Sequence, residues 1–135
     1  MKLITRETDY ALRALCLIAR QRDKGLVSVE DITRELKIPR PFLRRILRML
    51  SADGILVSAR GNKGGFHLAR PEDKIRLIDV VTTFQGAFNM NQCLFKKRAC
   101  PSRKTCVLRA KIEAIEDNVR RELESVTLAA LSGGR

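Results

Sequence analysis

Between Ser28 and Leu68 the chain carries two short amphipathic stretches split by a proline-bearing turn, followed at once by two β-prone runs around a cationic, glycine-rich turn. Few folds accept that order in so short a span. Ser28 stands before the acids Glu30 and Asp31, an N-cap signature that opens a helix running to about Leu36. Lys37-Ile38-Pro39 closes it, and Pro41 suits the first turn of the next helix, where a missing N–H is no loss. Phe42, Leu43, Ile46, Leu47 and Leu50 form one apolar face down to Asp53-Gly54, where Gly54 can adopt a left-handed cap. Two helices joined this way form a helix-turn-helix pattern. Ile55 to Ser58 and Gly65 to Leu68 read as strands, with Ala59 to Gly64 as the turn between them, so the pair is expected to form a wing.

The flanks complete a mainly α architecture. Leu12, Leu15, Cys16 and Ala19 recur at helical spacing and predict a first helix of about Arg6 to Gln21, on which Cys16 reads as a small buried hydrophobe. A break containing Gly25 separates it from the second helix, and a further helix is expected at about Leu77 to Phe84. Residues 85–105 show no periodicity, and so long a loop in a small domain is usually functional. Leu108, Ile112, Ile115, Val119, Leu123 and Val126 then make a narrow stripe on a charged helix of about Cys106 to Thr127. Packing within the chain would use that stripe, but the polar opposite face favours a homodimer seam. The tail from Leu131 is expected to fray. The expected organisation is therefore a winged helix-turn-helix over 1–84, a cysteine-bearing loop over 85–105, and a dimerisation helix with its tail over 106–135. With no Trp, one Tyr and five Phe among 135 residues, aliphatic side chains must fill the core.

The formal charge of +12 makes a polyanion the natural partner, although a basic protein can also be merely soluble. Its distribution decides. Between Arg34 and Lys63 eight cations face two acids, a net of +6. Arg40, Arg44 and Arg48 fall at i, i+4 and i+8 and form one stripe, with Arg45 beside it. A helix with one side in a core and an edge lined by guanidinium groups suits the major groove of DNA, where arginine can bond guanine O6 and N7 together. Arg60 and Lys63 of the wing suit the backbone or minor groove, and Ser28 and Pro41 sit at the helix starts beside them. A basic RNA-binding or structural module is the alternative. An enzyme is not expected: there is no CxxC pair, no phosphate-binding glycine loop and no paired acidic motif. No apolar run is long enough to span a membrane and the N-terminus lacks signal-peptide character, so a cytoplasmic protein is expected.

Cys93, Cys100 and Cys106 are spaced C-x6-C-x5-C, while Cys16 stands apart. In a reducing compartment such a cluster reads as metal-binding or redox-active before it reads as disulfides. The missing CxxC argues against structural zinc. Three thiolates can hold an iron–sulfur cluster if a fourth ligand comes from elsewhere. Lys96, Lys97, Arg98, Arg103, Lys104, Arg109 and Lys111, with no acid among residues 96–111, would favour thiolates.

The opening Met1-Lys2-Leu3 with Thr8 to Leu15, the wing Arg60 to Arg70 and the downstream cysteines together resemble the Rrf2 family of bacterial transcription regulators. The resemblance implies a homodimeric repressor on a palindromic operator, with a long C-terminal helix crossing its partner. Its relatives include iron–sulfur regulators of cluster assembly, nitric-oxide sensors, and cysteine-metabolism regulators without a cluster. It implies a [2Fe-2S] or [4Fe-4S] cluster on Cys93, Cys100 and Cys106, sensing iron–sulfur status, redox state or nitric oxide. The alternative is a cluster-free regulator of the same family, acting through thiol oxidation or a partner protein. Nitric-oxide-sensing relatives supply a carboxylate from the first helix, which makes Asp9 the candidate fourth ligand and Glu7 its weaker rival. The position where some relatives carry a ligating histidine holds Arg109, and the single His67 lies on the wing strand, where a structural role is expected. The first cysteine gap is one residue longer than is usual in the family. The arginines at 44, 45 and 48 also replace small, polar or acidic residues, so no operator sequence follows from the resemblance.

Overall fold

The computed structural model describes residues 3–61, 64–88 and 106–133. Helix α1 spans Arg6–Arg20, α2 Val29–Leu36 and α3 Arg40–Ala52. Strands β1 (Leu56–Ala59) and β2 (Gly65–Leu68) follow, then α4 (Leu77–Gln85), α5 (Val107–Ser125) and α6 (Leu128–Leu131). Short 3-10 turns sit at Arg22–Lys24 and Glu72–Lys74. Thr5 caps α1, its hydroxyl accepting the Thr8 N–H at 3.3 Å. Ser28 caps α2 through a full capping box: its Oγ accepts the Asp31 N–H at 3.1 Å, and the Asp31 carboxylate accepts the Ser28 N–H at 3.4 Å. Lys37 ends α2 in the left-handed region at φ 55°, which turns the chain at once into α3, with Pro41 in the first turn.

The three helices close on an aliphatic core. Leu15 and Ile18 of α1, Ile32 of α2, and Leu43, Ile46, Leu47 and Leu50 of α3 are all buried, with Tyr10 and Phe42 meeting edge to face at its border. Gly54 ends α3 at φ 75°, a conformation glycine adopts without a Cβ penalty. Ile55 therefore belongs to that turn, its N–H bonded to the Leu50 carbonyl, and β1 begins one residue later than expected. The two strands pair antiparallel, Leu56 opposite Leu68 and Ala59 opposite Gly65. Val27 bridges to Phe66 on the other side of β2, and this contact explains a glycine of the wing. A Cβ on Gly65 would lie 2.6 Å from the Val27 carbonyl oxygen.

The C-terminal half departs most from expectation. The helix ends at Ser125, and Val126 is extended, its carbonyl accepting the Leu77 N–H at 2.8 Å. Leu128 N–H returns a bond of 2.7 Å to the Ile75 carbonyl, so the chain pairs briefly with the entry to α4. It then forms α6, which the tail was too short to signal by periodicity. Instead of fraying there, the chain buries Leu128 and Ser132, and the Ser132 carbonyl accepts Arg20 Nε at 2.6 Å. Of the expected seam only Leu123 is buried, packed where α5 meets α4. Leu108 and Ile115 are 70% and 50% exposed, so the stripe continues beyond the contact its own chain supplies.

Candidate nucleic-acid interface and cysteine site

Helix α3 presents its arginines unequally. Leu43, Ile46, Leu47 and Leu50 point into the core, which turns Arg40, Arg44, Arg45 and Arg48 outward, and all four are exposed. Arg40 lies 3.6 Å from Glu30, a carboxylate that is itself three-quarters exposed. Arg45, about 100° around the helix from Arg44, donates from Nη1 to Glu7 Oε1 at 2.8 Å. Among the described residues, Arg44, Arg48 and the wing residue Arg60 have no hydrogen-bond or ion-pair partner. Their guanidinium donors meet no acceptor among the described residues. Ser28 spends its hydroxyl on the α2 cap, and Pro41 is exposed in the first turn of α3. Lys63 lies outside the described residues.

The family of the chain is decided by its whole length. The model of the Rrf2 family, described as an iron-dependent transcriptional regulator, matches residues 4–133. The chain belongs to the Rrf2 family. This Rrf2 protein is 36% identical over 124 residues to a protein of Aquifex aeolicus (strain VF5) named as an HTH-type transcriptional regulator, covering 90% of this chain and 85% of that one. Its fold is similar to that of CymR, the global cysteine regulator of B. subtilis, with a TM-score of 0.81 at 24% identity, covering 100% of this chain and 99% of that one. T. potens IscR is similar with a TM-score of 0.75 at 23% identity, covering 97% and 85%. This Rrf2 protein is accordingly a transcriptional regulator and not an enzyme, on a winged-helix fold with a two-stranded hairpin. No helix among the described residues is long and apolar enough to cross a membrane.

Of the cysteine triad, Cys93 and Cys100 lie outside the described residues. Cys106 is half-buried at the N-cap of α5, its Sγ accepting the Arg109 N–H at 3.4 Å. This sulfur is a soft donor placed at the head of α5, the chemistry of a metal ligand. Asp9 sits in the first turn of α1, about half exposed, with Oδ2 accepting Arg13 Nε at 3.0 Å. Glu7 is occupied by Arg45. Among the described residues no three His, Cys, Asp or Glu side chains gather at metal-binding distance. Cys16 is half-buried, and burial pushes its thiol above the ordinary range, with the nearby Arg20 opposing the shift. His67 is exposed on β2, Nδ1 lying 3.0 Å from the Leu68 carbonyl.

Two residues that local pattern left unmarked hold this region together. Gln85, the last residue of α4, accepts the Thr5 N–H at 3.0 Å and the Thr8 hydroxyl at 2.7 Å, and its Nε2 donates to the Leu3 carbonyl at 3.1 Å. It thereby fixes the start of α1, including the fully buried Thr8, to the point where the cysteine segment begins. Arg120 of α5 donates to the Phe88 carbonyl at 3.0 Å and lies 5.9 Å from the Phe88 ring centroid. Only the cap spacing of Thr5 and Thr8 carried a signal in the sequence, and it pointed to the helix start rather than to Gln85.

Proposed function

We propose that this Rrf2 regulator is a cytoplasmic homodimeric repressor that reads a palindromic operator through α3 and its wing. The observation that carries this reading is the unpartnered arginine pair, Arg44 and Arg48, on the exposed edge of a helix whose other side is locked in the core. Guanidinium groups so placed can bond guanine edges without first breaking an ion pair. Arg40, Arg45, Ser28 and Pro41 flank them, and Arg60 and Lys63 of the wing meet the adjoining backbone or minor groove. The exposed stretch of α5 with Leu108 and Ile115 supplies the dimer seam.

The input of this regulator is an iron–sulfur cluster, [2Fe-2S] or [4Fe-4S], on Cys93, Cys100 and Cys106 with Asp9 as an oxygen ligand. The family description as iron-dependent and the helix-capping sulfur of Cys106 support it. A bound cluster supplies a centre that iron shortage, oxygen or nitric oxide can damage. Cys106 would anchor it to the start of α5, and Asp9 would link it to α1. A signal acts only if the two arrangements of the dimer bind the group unequally.

Anaerobic reconstitution, iron and sulfide analysis and Mössbauer spectroscopy test the input. Cys100→Ser should abolish the visible chromophore and leave the dimer intact. Folded protein that takes up neither iron nor sulfide refutes the cluster and leaves the thiol-sensing reading. The output is tested by binding to a duplex selected from random sequence: steep salt dependence with a large preference over random DNA supports operator recognition, and uniform affinity refutes it.

A further inference from the structure

The four exposed arginines of α3 are not equivalent, and the difference lies in the counter-charges. Glu30 is exposed and its contact with Arg40 is long, so that pair opens easily. Glu7 is held differently. It lies between Thr5 and Thr8 on the turn that Gln85 grips through three hydrogen bonds, and its side chain is only 29% exposed. Its carboxylate stands on that pinned helix start and meets Arg45 at 2.8 Å, against 3.6 Å between Glu30 and Arg40.

We infer that Glu7 is a determinant of DNA affinity that never touches DNA: it withholds the Arg45 guanidinium from the phosphates by neutralising it on a fixed mount. This rests on the reading of α3 as the DNA-facing helix. A phosphate near Arg45 meets a cation and an anion together. The pair therefore releases no counterion and adds nothing to the count of neutralised phosphates, which sets the slope of affinity against salt. Arg45 contributes least among the α3 arginines while Glu7 is present.

The test is a double-mutant cycle of Glu7→Gln and Arg45→Ala, measured on the selected duplex and on a random-sequence duplex from 50 to 200 mM salt. Releasing Arg45 in Glu7→Gln adds one phosphate contact per protomer, two per bound dimer. Affinity of the dimer then rises by about a hundredfold at low salt on both duplexes, about tenfold for each contact, and falls about 12-fold more than wild type across that range. Arg45→Ala alone bares the Glu7 carboxylate and lowers affinity on both duplexes, whereas the double variant Glu7→Gln with Arg45→Ala, which removes the pair whole, stays within about threefold of wild type and keeps its slope. Glu7→Asp keeps the charge but shortens the reach, and it shifts affinity the same way by less. Circular dichroism confirms that each variant is folded. A loss of about tenfold and a shallower slope in the double variant would show that Arg45 already grips DNA in the wild type and overturn the inference, as would an unchanged slope in Glu7→Gln. If wild-type affinity is insensitive to salt and to Arg44→Ala or Arg48→Ala, the DNA-facing assignment of α3 itself has failed, and the inference goes with it.

Discussion

Replacing Gln85 with Leu removes the clamp on the start of α1 while keeping the side chain's bulk. Three hydrogen bonds are lost: those to the Thr5 N–H, the Thr8 hydroxyl and the Leu3 carbonyl. Each is worth about 1 kcal/mol net. Leu3 is exposed, so water replaces its bond at little cost, and the Thr8 hydroxyl keeps its 3.0 Å contact with Thr5 Oγ1. Thr5 N–H loses a partner in a half-buried setting, so the expected loss is about 2 kcal/mol. With a urea m-value of about 2 kcal/mol/M, the unfolding midpoint falls by about 1 M at unchanged slope. The assay is urea unfolding followed by circular dichroism at one fixed protein concentration, since dimerisation would shift the midpoint by mass action. Gln85→Glu is the internal control: a carboxylate still accepts from Thr5 and Thr8 but cannot donate to Leu3, and it should cost less than half as much. A Gln85→Leu variant within about 0.5 kcal/mol of wild type, or a Gln85→Glu variant equally damaged, would show that the clamp is incidental.

Three further outcomes are expected. Arg44→Ala or Arg48→Ala lowers operator affinity by about 1–3 kcal/mol if the residue reads a base, whereas equal weakening on random DNA marks a phosphate contact. Gly65→Ala drives a Cβ against the Val27 carbonyl and destabilises the protein by about 1–3 kcal/mol, with early loss of amide protection at Phe66; unchanged protection would contradict the close approach. The Ser28 hydroxyl and N–H, with Arg34 adding less, hold the Asp31 carboxyl below its ordinary value near 3.8. The stability it contributes is present above that value and disappears as pH falls through the lower folded one. The gap between wild type and Asp31→Asn should therefore close with acid, and a pH-independent gap would rule the cap out as its source.

The helix-turn-helix and wing were legible in the sequence because their signals are local. Ser28 with Asp31, Pro41, the α3 apolar repeat and Gly54 all act within one turn of where they stand. The same locality explains the misses. Gln85 bonds to Thr5 across 80 positions, and no spacing rule reaches that far. The four residues of α6 are too few to show a helical period. The stripe on α5 is visible as an apolar repeat, but a period cannot say which part a neighbour covers. Leu123 is buried, while Leu108 and Ile115 stand exposed. Among the DNA-facing candidates, the arginine stripe was visible, whereas the ion pairs that divide Arg45 from Arg44 and Arg48 depend on the placement of α1.

Among the described residues, helix α5 is fastened toward its C-terminal end. Its last turn is joined to the body through the extended Val126 and the bond from Leu77, while Val107 and Leu108 at the other end stand more than two-thirds exposed. Nineteen residues make a rod of about 28 Å, so the arrangement is that of a cantilever. A tilt of only about 5° at the fastened end carries the tip through roughly 2.5 Å. If a second copy grips the tip, the lever runs backwards: a small displacement beside Cys106 would swing the whole DNA-facing body about its mount. Half-sites on DNA sit about 34 Å apart, and a few ångströms at that separation is close to the rise of one base pair, enough to take two bodies out of step with the grooves.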